Sequence, residues 1–504
     1  MKFSFFLLYA SSFILGVLSS FSLPPYNIII LNFFTLPILF NILLSQKKNI
    51  FFSFLTGWFF GFGYFISNIF WITNSLKFDQ NFEHLIPIVL IILPTILGVF
   101  YGIVTLASSL FNLKKNFSSL LIFALFFSLI EFIRGQIFTG FPWNFFVFSL
   151  TNYLPSLQIL SLIGTYSLNL VCITIFLTPL VFMIKIKNTK KIIIFLLLIS
   201  SIGINHYYGN YKIKTYQNKT PKQLDFNIKI VSPKIELSRF FDNEDIYDRL
   251  NEVINLISNS TQDETLFILP ENIFLGLNIN DLKKLDYVFK QRFSNEDKFI
   301  LGINLFEDSK LYNALVLLDV NLNILNIYKK NKLVPFGEFL PYESFLSKIG
   351  LKKITAGYNS FTASNNRDLI DINNFSILPL ICYEIIYSGE LNYQNKNFDF
   401  IVNISEDGWF GNTVGPIQHF SHAIFRSIEE GKMILRSSNN GISAMINPYG
   451  YIEKKIESTN SGVISLKNIK TGEKTLFSKL GNKIFFYFVL IYITFISFLK
   501  RKDL

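Results

Sequence analysis

The sequence predicts a multi-span α-helical membrane domain joined to an exported α/β domain. Three observations carry that reading. Apolar runs long enough for a bilayer crowd the chain up to about residue 207 and return once near its end. Lys and Arg fall in alternate loops between those runs. From Phe226 the pattern changes to short β-rich runs alternating with amphipathic helices.

Composition agrees. Half of the 504 residues are apolar, 17% are aromatic and 16% are charged, which excludes an ordinary soluble globule. The net charge of +11 fits either nucleic acid or anionic lipid as a partner. Many of the basic residues flank apolar runs, so the charge is assigned to membrane topology and no nucleic acid is expected. Two cysteines exclude a disulfide framework, and neither CxxC nor HExxH appears to signal a metal site.

A hydrocarbon core takes about 20 apolar residues as a helix. Such runs lie near residues 4–22, 27–45, 50–73, 86–111, 118–134, 157–184, 191–206 and 483–499, giving eight candidate spans. Lys2 precedes the first run, Lys47-Lys48 follow the second and Lys114-Lys115 follow the fourth. Lys185, Lys187, Lys190 and Lys191 lie between the sixth and seventh, and Lys500-Arg501-Lys502 follow the eighth. With the N-terminus inside, all these clusters are cytoplasmic, as are both termini. The loops "SLPPYN" and "TGFPWNFFVFSLTNYLPS" then lie outside and carry almost no basic residues.

Residues 1–22 are read as a span, not a cleaved leader, because their removal would upset the alternation. The expected organisation is a seven-span domain over 1–207, an exported domain over 208–478, and a final span with a cytoplasmic tail over 479–504. Gly57 and Gly61 in "GWFFGFG" form a small-xxx-small pair that predicts close helix packing. Arg134 is the basic residue that fits the charge rule less well. Three residues from Glu131 near a helix end, it predicts a local ion pair at the interface, or else a charged lining for a substrate path.

In the exported part, "FNIKIVS", "TLFILP", "KFILGINLF", "NALVLLDV", "NILNIYKK", "FSILPLICYE" and "FDFIVNIS" read as strands. "NEDIYDRLNEVINLI", "INDLKKLDYVFKQRF" and "GPIQHFSHAIFRSIEEGK" read as helices. A two-layer or four-layer domain of roughly 260 residues follows, large enough to bury its own core.

Cys382 is unusual in this setting. The other cysteine, Cys172, sits in a membrane run and cannot readily pair with it. A leftover thiol in an oxidising compartment is either inert core or a nucleophile. A nucleophilic thiol needs a base for its proton and a cation for developing negative charge. "LFILPENIF" brings Glu271 to a strand end, "NIYKKNKLVPFGEFLPY" brings Lys330 and Glu338, and "LPLICYEIIY" brings Cys382 with Glu384. Singly each is weak: a Glu after a strand is commonly a solvated turn residue, and Lys329, Lys330 and Lys332 read equally as a surface run. His419 and His422 in "HFSH" have a metal-compatible spacing but no evident third ligand, so no metal is expected.

Taken together and in this order, these residues resemble the Glu-Lys-Cys signature of the carbon–nitrogen hydrolase (nitrilase) superfamily. With the membrane part, nearly the full length resembles its membrane-bound branch, the apolipoprotein N-acyltransferase family. The most specific stretches are "YKKNKLVPFGE" (328–338), "ICYE" (381–384), "NISEDGWFG" (403–411) and residues 419–450, with "GFPWN" (140–144) in the membrane part. The resemblance implies an αββα sandwich in which Glu271 is general base, Lys330 stabilises the oxyanion and Cys382 is the nucleophile. Tyr328 fixes the register that selects Lys330, and Lys332 stands where His is usual. Glu338 would orient Lys330 or hold the site. Tyr383 and Glu384 follow the nucleophile, and Trp409 would lie near the acyl or lipid entrance. The loops "ENIFLGL" (271–277) and "GWFGN" (408–412) become candidates for excluding water.

Departures from the family pattern are Leu269, where Trp often precedes Pro-Glu, and the poorer match of "VSPKIELSRFF" (231–241). There Phe240 or Phe241 takes the place of an expected Trp. Ser405-Glu406-Asp407-Gly408 also differs slightly from the common form. The implied activity moves an acyl chain from a phospholipid to the α-amino group of a lipoprotein's diacylglyceryl-cysteine, through a thioester and without a cofactor. It implies a monomer in the bacterial inner membrane with its catalytic domain periplasmic. A membrane-anchored amidase acting on a small amide keeps the same triad but has no evident use for seven preceding spans. A receptor or transporter would make Cys382 mere core.

Overall fold

The computed structural model describes residues 2–45, 49–78, 80–184, 186–237, 246–257, 264–274, 279–349, 353 and 360–501. Lys47-Lys48, Lys185 and Lys502 of the basic clusters, Phe240 and Phe241, and residues 275–277 of one aromatic loop lie outside the described residues.

The apolar runs form helices because lipid offers no partner for backbone N–H and C=O groups. Among the described residues, five segments are long and apolar enough to cross a membrane: Ile50–Phe78, Glu83–Ser109, Phe117–Arg134, Asn188–Gln217 and Lys483–Arg501. Three shorter apolar helices, Phe6–Ser20, Ile29–Ser45 and Leu160–Phe176, occupy the remaining expected positions. The sixth expected run is shortened for a local reason. Gly164 leaves helical geometry at φ 71°, and a Cβ there would meet the Phe477 ring at 1.9 Å. The chain then finishes in 3-10 turns over Thr178–Met183. The seventh run is longer than expected, with its helix continuing to Gln217 and the first strand starting at Lys222.

The small-residue pair works as expected. A Cβ on Gly57 would lie 2.1 Å from the Tyr101 carbonyl oxygen, and one on Gly61 2.9 Å from Gly98 Cα. The helices Ile50–Ile69 and Ile86–Ser109 therefore approach backbone to backbone, gaining dispersion contact that lipid cannot match.

Among the described residues twelve strands build the second part: β1 Lys222–Ser232, β2 Thr265–Ile268, β3 Lys298–Glu307, β4 Lys310–Asp319, β5 Ile324–Lys329, β6 Ile370–Ile372, β7 Phe375–Ile381, β8 Phe400–Glu406, β9 Met433–Asn439, β10 Ser443–Ile446, β11 Ile452–Ile456 and β12 Gly462–Ile469. They form two six-stranded sheets, in the orders β12-β1-β2-β3-β4-β5 and β11-β10-β9-β8-β7-β6. β1, β2 and β3 run parallel, as do β7, β8 and β9, with antiparallel strands outside them.

The period of two sorts the faces. Ile228, Ile230, Leu266, Ile268, Leu315 and Leu317 point inward and share one core with Phe375, Ile377, Val402 and Ile404 of the other sheet. Their neighbours Val231, Phe267, Phe299, Leu301 and Val316 point outward, under Val253 of helix Ile246–Ile257 and Phe289 of helix Asp286–Arg292. Each such side chain contributes ~1.5–3 kcal/mol on burial. The outer face of the second sheet is covered by helix Gly415–Glu430, which packs in turn on membrane helix Leu160–Phe176. The result is the αββα sandwich that the resemblance implies, its fourth layer pressed against the membrane domain.

Candidate active site

Parallel strands deliver their C-terminal ends to one edge, and the site lies there. β2 passes through Leu269-Pro270 to Glu271, β7 ends at Cys382, and β8 ends at Glu406-Asp407. Lys330 follows β5 directly, fixed where its N–H donates to the Asn313 carbonyl of β4 at 2.8 Å.

Glu271 and Lys330 are both buried. Lys330 Nζ lies 3.4 Å from Glu271 Oε1 and 2.9 Å from Glu338 Oε1. Asn313 Nδ2 donates to those same two oxygens at 2.7 Å each. Glu271 Oε2 accepts from the Glu406 N–H at 3.1 Å, and Glu338 Oε2 accepts from the Val334 N–H at 2.8 Å. Two carboxylates thus share one ammonium. Burial acts to lower the Lys330 pKa, but the Glu271 and Glu338 charges outweigh it and hold the side chain protonated. For Glu271 burial dominates and raises the pKa. Lys330 opposes this and Glu338 reinforces it. A carboxylate so placed is a better proton acceptor than one in water.

Cys382 sits at the strand-to-turn junction with φ 48°, in the left-handed region that costs a non-glycine residue about 1–2 kcal/mol. It opens the 3-10 turn Cys382–Ile386. Burial pushes the thiol up, the Glu271 carboxylate adds to this, and the Lys330 ammonium pulls it down. The resting group is a neutral thiol, with a base and a cation both acting on it.

Glu384 is fully buried and receives five hydrogen bonds. Oε1 accepts from Tyr328 Oη at 2.7 Å, the Asn331 and Lys332 N–H groups at 2.9 and 3.2 Å, and Arg367 Nη2 at 2.9 Å. Oε2 accepts from the Ile381 N–H at 2.8 Å. One carboxylate therefore ties the Lys330 segment to the end of β7, fixing ammonium and sulfur relative to each other. Tyr383 donates to the Gly140 carbonyl at 3.0 Å, joining the cysteine turn to the "GFPWN" loop of the membrane domain. Trp409 is half-buried and meets Phe78 edge-on at 5.6 Å. Beside it the Phe410 ring lies 4.7 Å from Trp71, and Asn74 Nδ2 donates to the Phe410 carbonyl at 3.0 Å. The "GWFGN" loop is thus docked on the membrane part. Lys332, in place of the usual His, pairs with Glu390 at 2.9 Å.

A second buried group backs the sulfur. Asp407 Oδ1 accepts from Ser405 Oγ at 2.7 Å and faces His419 Nδ1 at 2.9 Å, while Oδ2 accepts from Arg436 Nη2 at 2.8 Å. Burial would raise the Asp407 pKa, but Arg436 and His419 hold it well below the usual carboxylate range. Burial lowers that of His419, leaving a neutral imidazole. Ligand atoms of Cys382, Asp407 and His419 lie within 4.8 Å of one another. A metal ion there would face the Arg436 charge and compete for oxygens already in use, so the donor set fits thiol chemistry better. His422, the partner in the His pair, is buried beside Phe148 at 4.4 Å and takes no part in that group.

Sequence reasoning missed Asn313, Arg367 and Arg436. Asn313 lies inside β4 just before its apolar run, and its signal is a lone amide on the inward face, turned toward Glu271. Arg436 sits mid-strand in "MILRSSN", where a buried charge requires a buried partner.

Residues 15–178 match the model of the apolipoprotein N-acyltransferase N-terminal domain, and residues 296–468 match that of carbon-nitrogen hydrolase. The chain is 30% identical over 495 residues to the apolipoprotein N-acyltransferase of Rhodopseudomonas palustris, covering 92% of this chain and 90% of that protein. It is 32% identical over 469 residues to that of Rickettsia bellii, covering 89% of each. The chain belongs to the apolipoprotein N-acyltransferase family. Among solved structures, Saccharomyces cerevisiae Nit3, a member of branch 10 of the nitrilase superfamily, matches 50% of this chain and 92% of its own. The identity is 15% and the TM-score 0.37. The hydrolase match takes in Lys330 and Cys382, while Glu271 precedes it.

Proposed function

We propose that this family member N-acylates lipoproteins in the bacterial inner membrane, with Cys382 as the acyl carrier. Glu271 takes the thiol proton, and the thiolate attacks the sn-1 ester carbonyl of a phospholipid. The tetrahedral oxyanion is held by the Lys330 ammonium and a backbone N–H after Cys382. One such donor is typically worth ~3 kcal/mol of barrier. The C–O bond breaks, lysophospholipid leaves with the proton returned by Glu271, and a thioester remains. In the second half the α-amino group of a diacylglyceryl-cysteine attacks that thioester. Glu271 accepts the amine proton, the C–S bond breaks, and an amide and free thiol result. Sequential use of one site gives ping-pong kinetics.

The observation that carries this reading is the gathering of Glu271, Lys330 and Cys382 from three separate strand ends, in a chain of this family. The docking of the cysteine turn and the Trp409 loop on the membrane part supports lipid substrates over water-borne ones. The catalytic domain is placed in the periplasm and both termini in the cytoplasm, on the charge alternation. Purified chain given phospholipid and a diacylated lipopeptide tests the proposal. Acyl transfer to the peptide amine supports it. Release of free fatty acid alone would favour a lipid hydrolase, and turnover of small amides alone the amidase reading.

A further inference from the structure

The expected ion pair between Glu131 and Arg134 forms, and it is closed to solvent. Both side chains are buried within the protein. Glu131 accepts from Tyr101 Oη at 2.8 Å and Asn169 Nδ2 at 2.5 Å, and stands 3.9 Å from Arg134 Nη2. Arg134 Nη1 does not spend its hydrogen bonds on that carboxylate. It donates to the Phe141 carbonyl at 2.7 Å and the Trp143 carbonyl at 2.9 Å. The guanidinium is also sandwiched between Phe65 and Phe145, 5.2 and 4.9 Å from their ring centres.

The loop it grips is in a conformation that needs holding. Phe138, Thr139, Gly140 and Asn144 all have φ between 54° and 81°. On the membrane side it is fixed again by Tyr64 Oη to the Asn144 carbonyl at 2.9 Å, and by the Val147 N–H to Asn169 Oδ1 at 3.0 Å. On the other side it is where the nucleophile turn rests. Tyr383 and Tyr387 donate to Gly140 at 3.0 and 3.3 Å, and Tyr387 to Thr139 at 3.0 Å. Trp143 stacks on His419 at 5.6 Å and donates to Gln418 at 2.9 Å.

We infer that Arg134 is a positioning residue for the reaction. From inside the membrane domain it fixes the 139–144 loop, and through the Tyr383 and Tyr387 hydroxyls that loop sets the turn carrying Cys382. The inference rests on Cys382 being the acyl carrier. A buried guanidinium that gave only fold stability would affect unfolding alone. One that positions the sulfur changes the chemical step, because small misplacements of reacting atoms carry large rate costs.

The test uses full-length chain in lipid nanodiscs and reads thioester formation on Cys382 from phospholipid, together with the unfolding midpoint. Absence of thioester in the unaltered chain would overturn the proposed function itself. Given that thioester, Arg134→Lys is expected to lower the saturating rate about tenfold or more, with half-saturation little changed. Tyr383→Phe with Tyr387→Phe should do the same. The combined variant should be no slower than the slower of the two, because both act through one loop. Unaltered rates, a change confined to half-saturation, or effects that multiply would each overturn the inference. Should Arg134→Lys fail to fold, Tyr64→Phe takes its place, freeing the same loop at Asn144. The same fall in rate is then expected, and an unaltered rate overturns the relay.

Discussion

Lys330→Met removes the ammonium shared by Glu271 and Glu338 and leaves their carboxylates facing each other. Asn313 Nδ2 lies 2.7 Å from one oxygen of each, so those oxygens are no further apart than twice that distance. Their repulsion is present already, roughly 3 kcal/mol at about 5 Å and an effective dielectric near 20; what the variant removes is the opposing Lys330 attraction across 3.4 Å to Glu271, roughly 5 kcal/mol on the same scale. At about 1.4 kcal/mol per pKa unit, that loss shifts the ionisation of the pair upward by roughly three units. The Cys382 thiol moves the same way, since the Lys330 charge pulls its pKa down. Both acids must lose a proton in the proposed chemistry, so the rate profile moves to higher pH, never lower. The plateau should also fall by about 10²–10³-fold through loss of the oxyanion donor. Thioester formation measured from acid to alkaline pH reads both effects. A Lys330→Met profile that falls in height but keeps its midpoint would refute the charge-sharing argument.

Other outcomes follow from single contacts. Glu384→Gln leaves Arg367 without its charge and turns an amide donor toward a donor, most simply at the Ile381 N–H. It should cost ~3–5 kcal/mol, read as a lowered unfolding midpoint together with slower acylation. Asp407→Asn strips Arg436 of its counter-charge at a similar cost in the same melt. Because the Asp407 pKa is depressed in the fold, its contribution is full above the unfolded value and is lost only as pH falls through the lower folded value. The deficit of Asp407→Asn should therefore persist below the ordinary carboxylate range. Gly57→Leu drives a side chain into the Tyr101 carbonyl and should destabilise by ~3 kcal/mol or more, read as poor recovery of folded protein from membranes.

Much of this was legible in the residues. Apolar run length and the Gly57–Gly61 spacing report on helices because lipid leaves the backbone no other choice, and all eight runs became apolar helices. The strands that carry Glu271 and Cys382 were legible because they are apolar runs buried on both faces or nearly so, and β5, half exposed before Lys330, by its Ile, Leu, Ile and Tyr residues. β6 and β9 to β12 were not, for different reasons. β9 and β10 bury Ser437, Ser438 and Ser443 beside polar partners, so their sequence lacks an apolar run, and β11 is half exposed with Lys454 and Lys455 outward. The candidate triad could be read because each member ends a strand. Asn313, Arg367 and Arg436 could not, because their meaning lies in Glu271, Glu384 and Asp407, distant in sequence: Asp407 is 29 positions from Arg436 and Glu271 is 42 from Asn313. Arg134 was visible as a misfit to the charge rule. Its partners, two backbone carbonyls of a left-handed loop, have no sequence signature.

The most direct measurement is the mass of the Cys382 peptide after the chain is incubated with phospholipid and no acceptor. The account predicts one acyl chain in thioester linkage on that sulfur, absent in Cys382→Ser and nearly absent in Glu271→Gln, and discharged when a diacylated lipopeptide is added. An acyl group found on another residue, or transfer by Cys382→Ser at the unaltered rate, would contradict it.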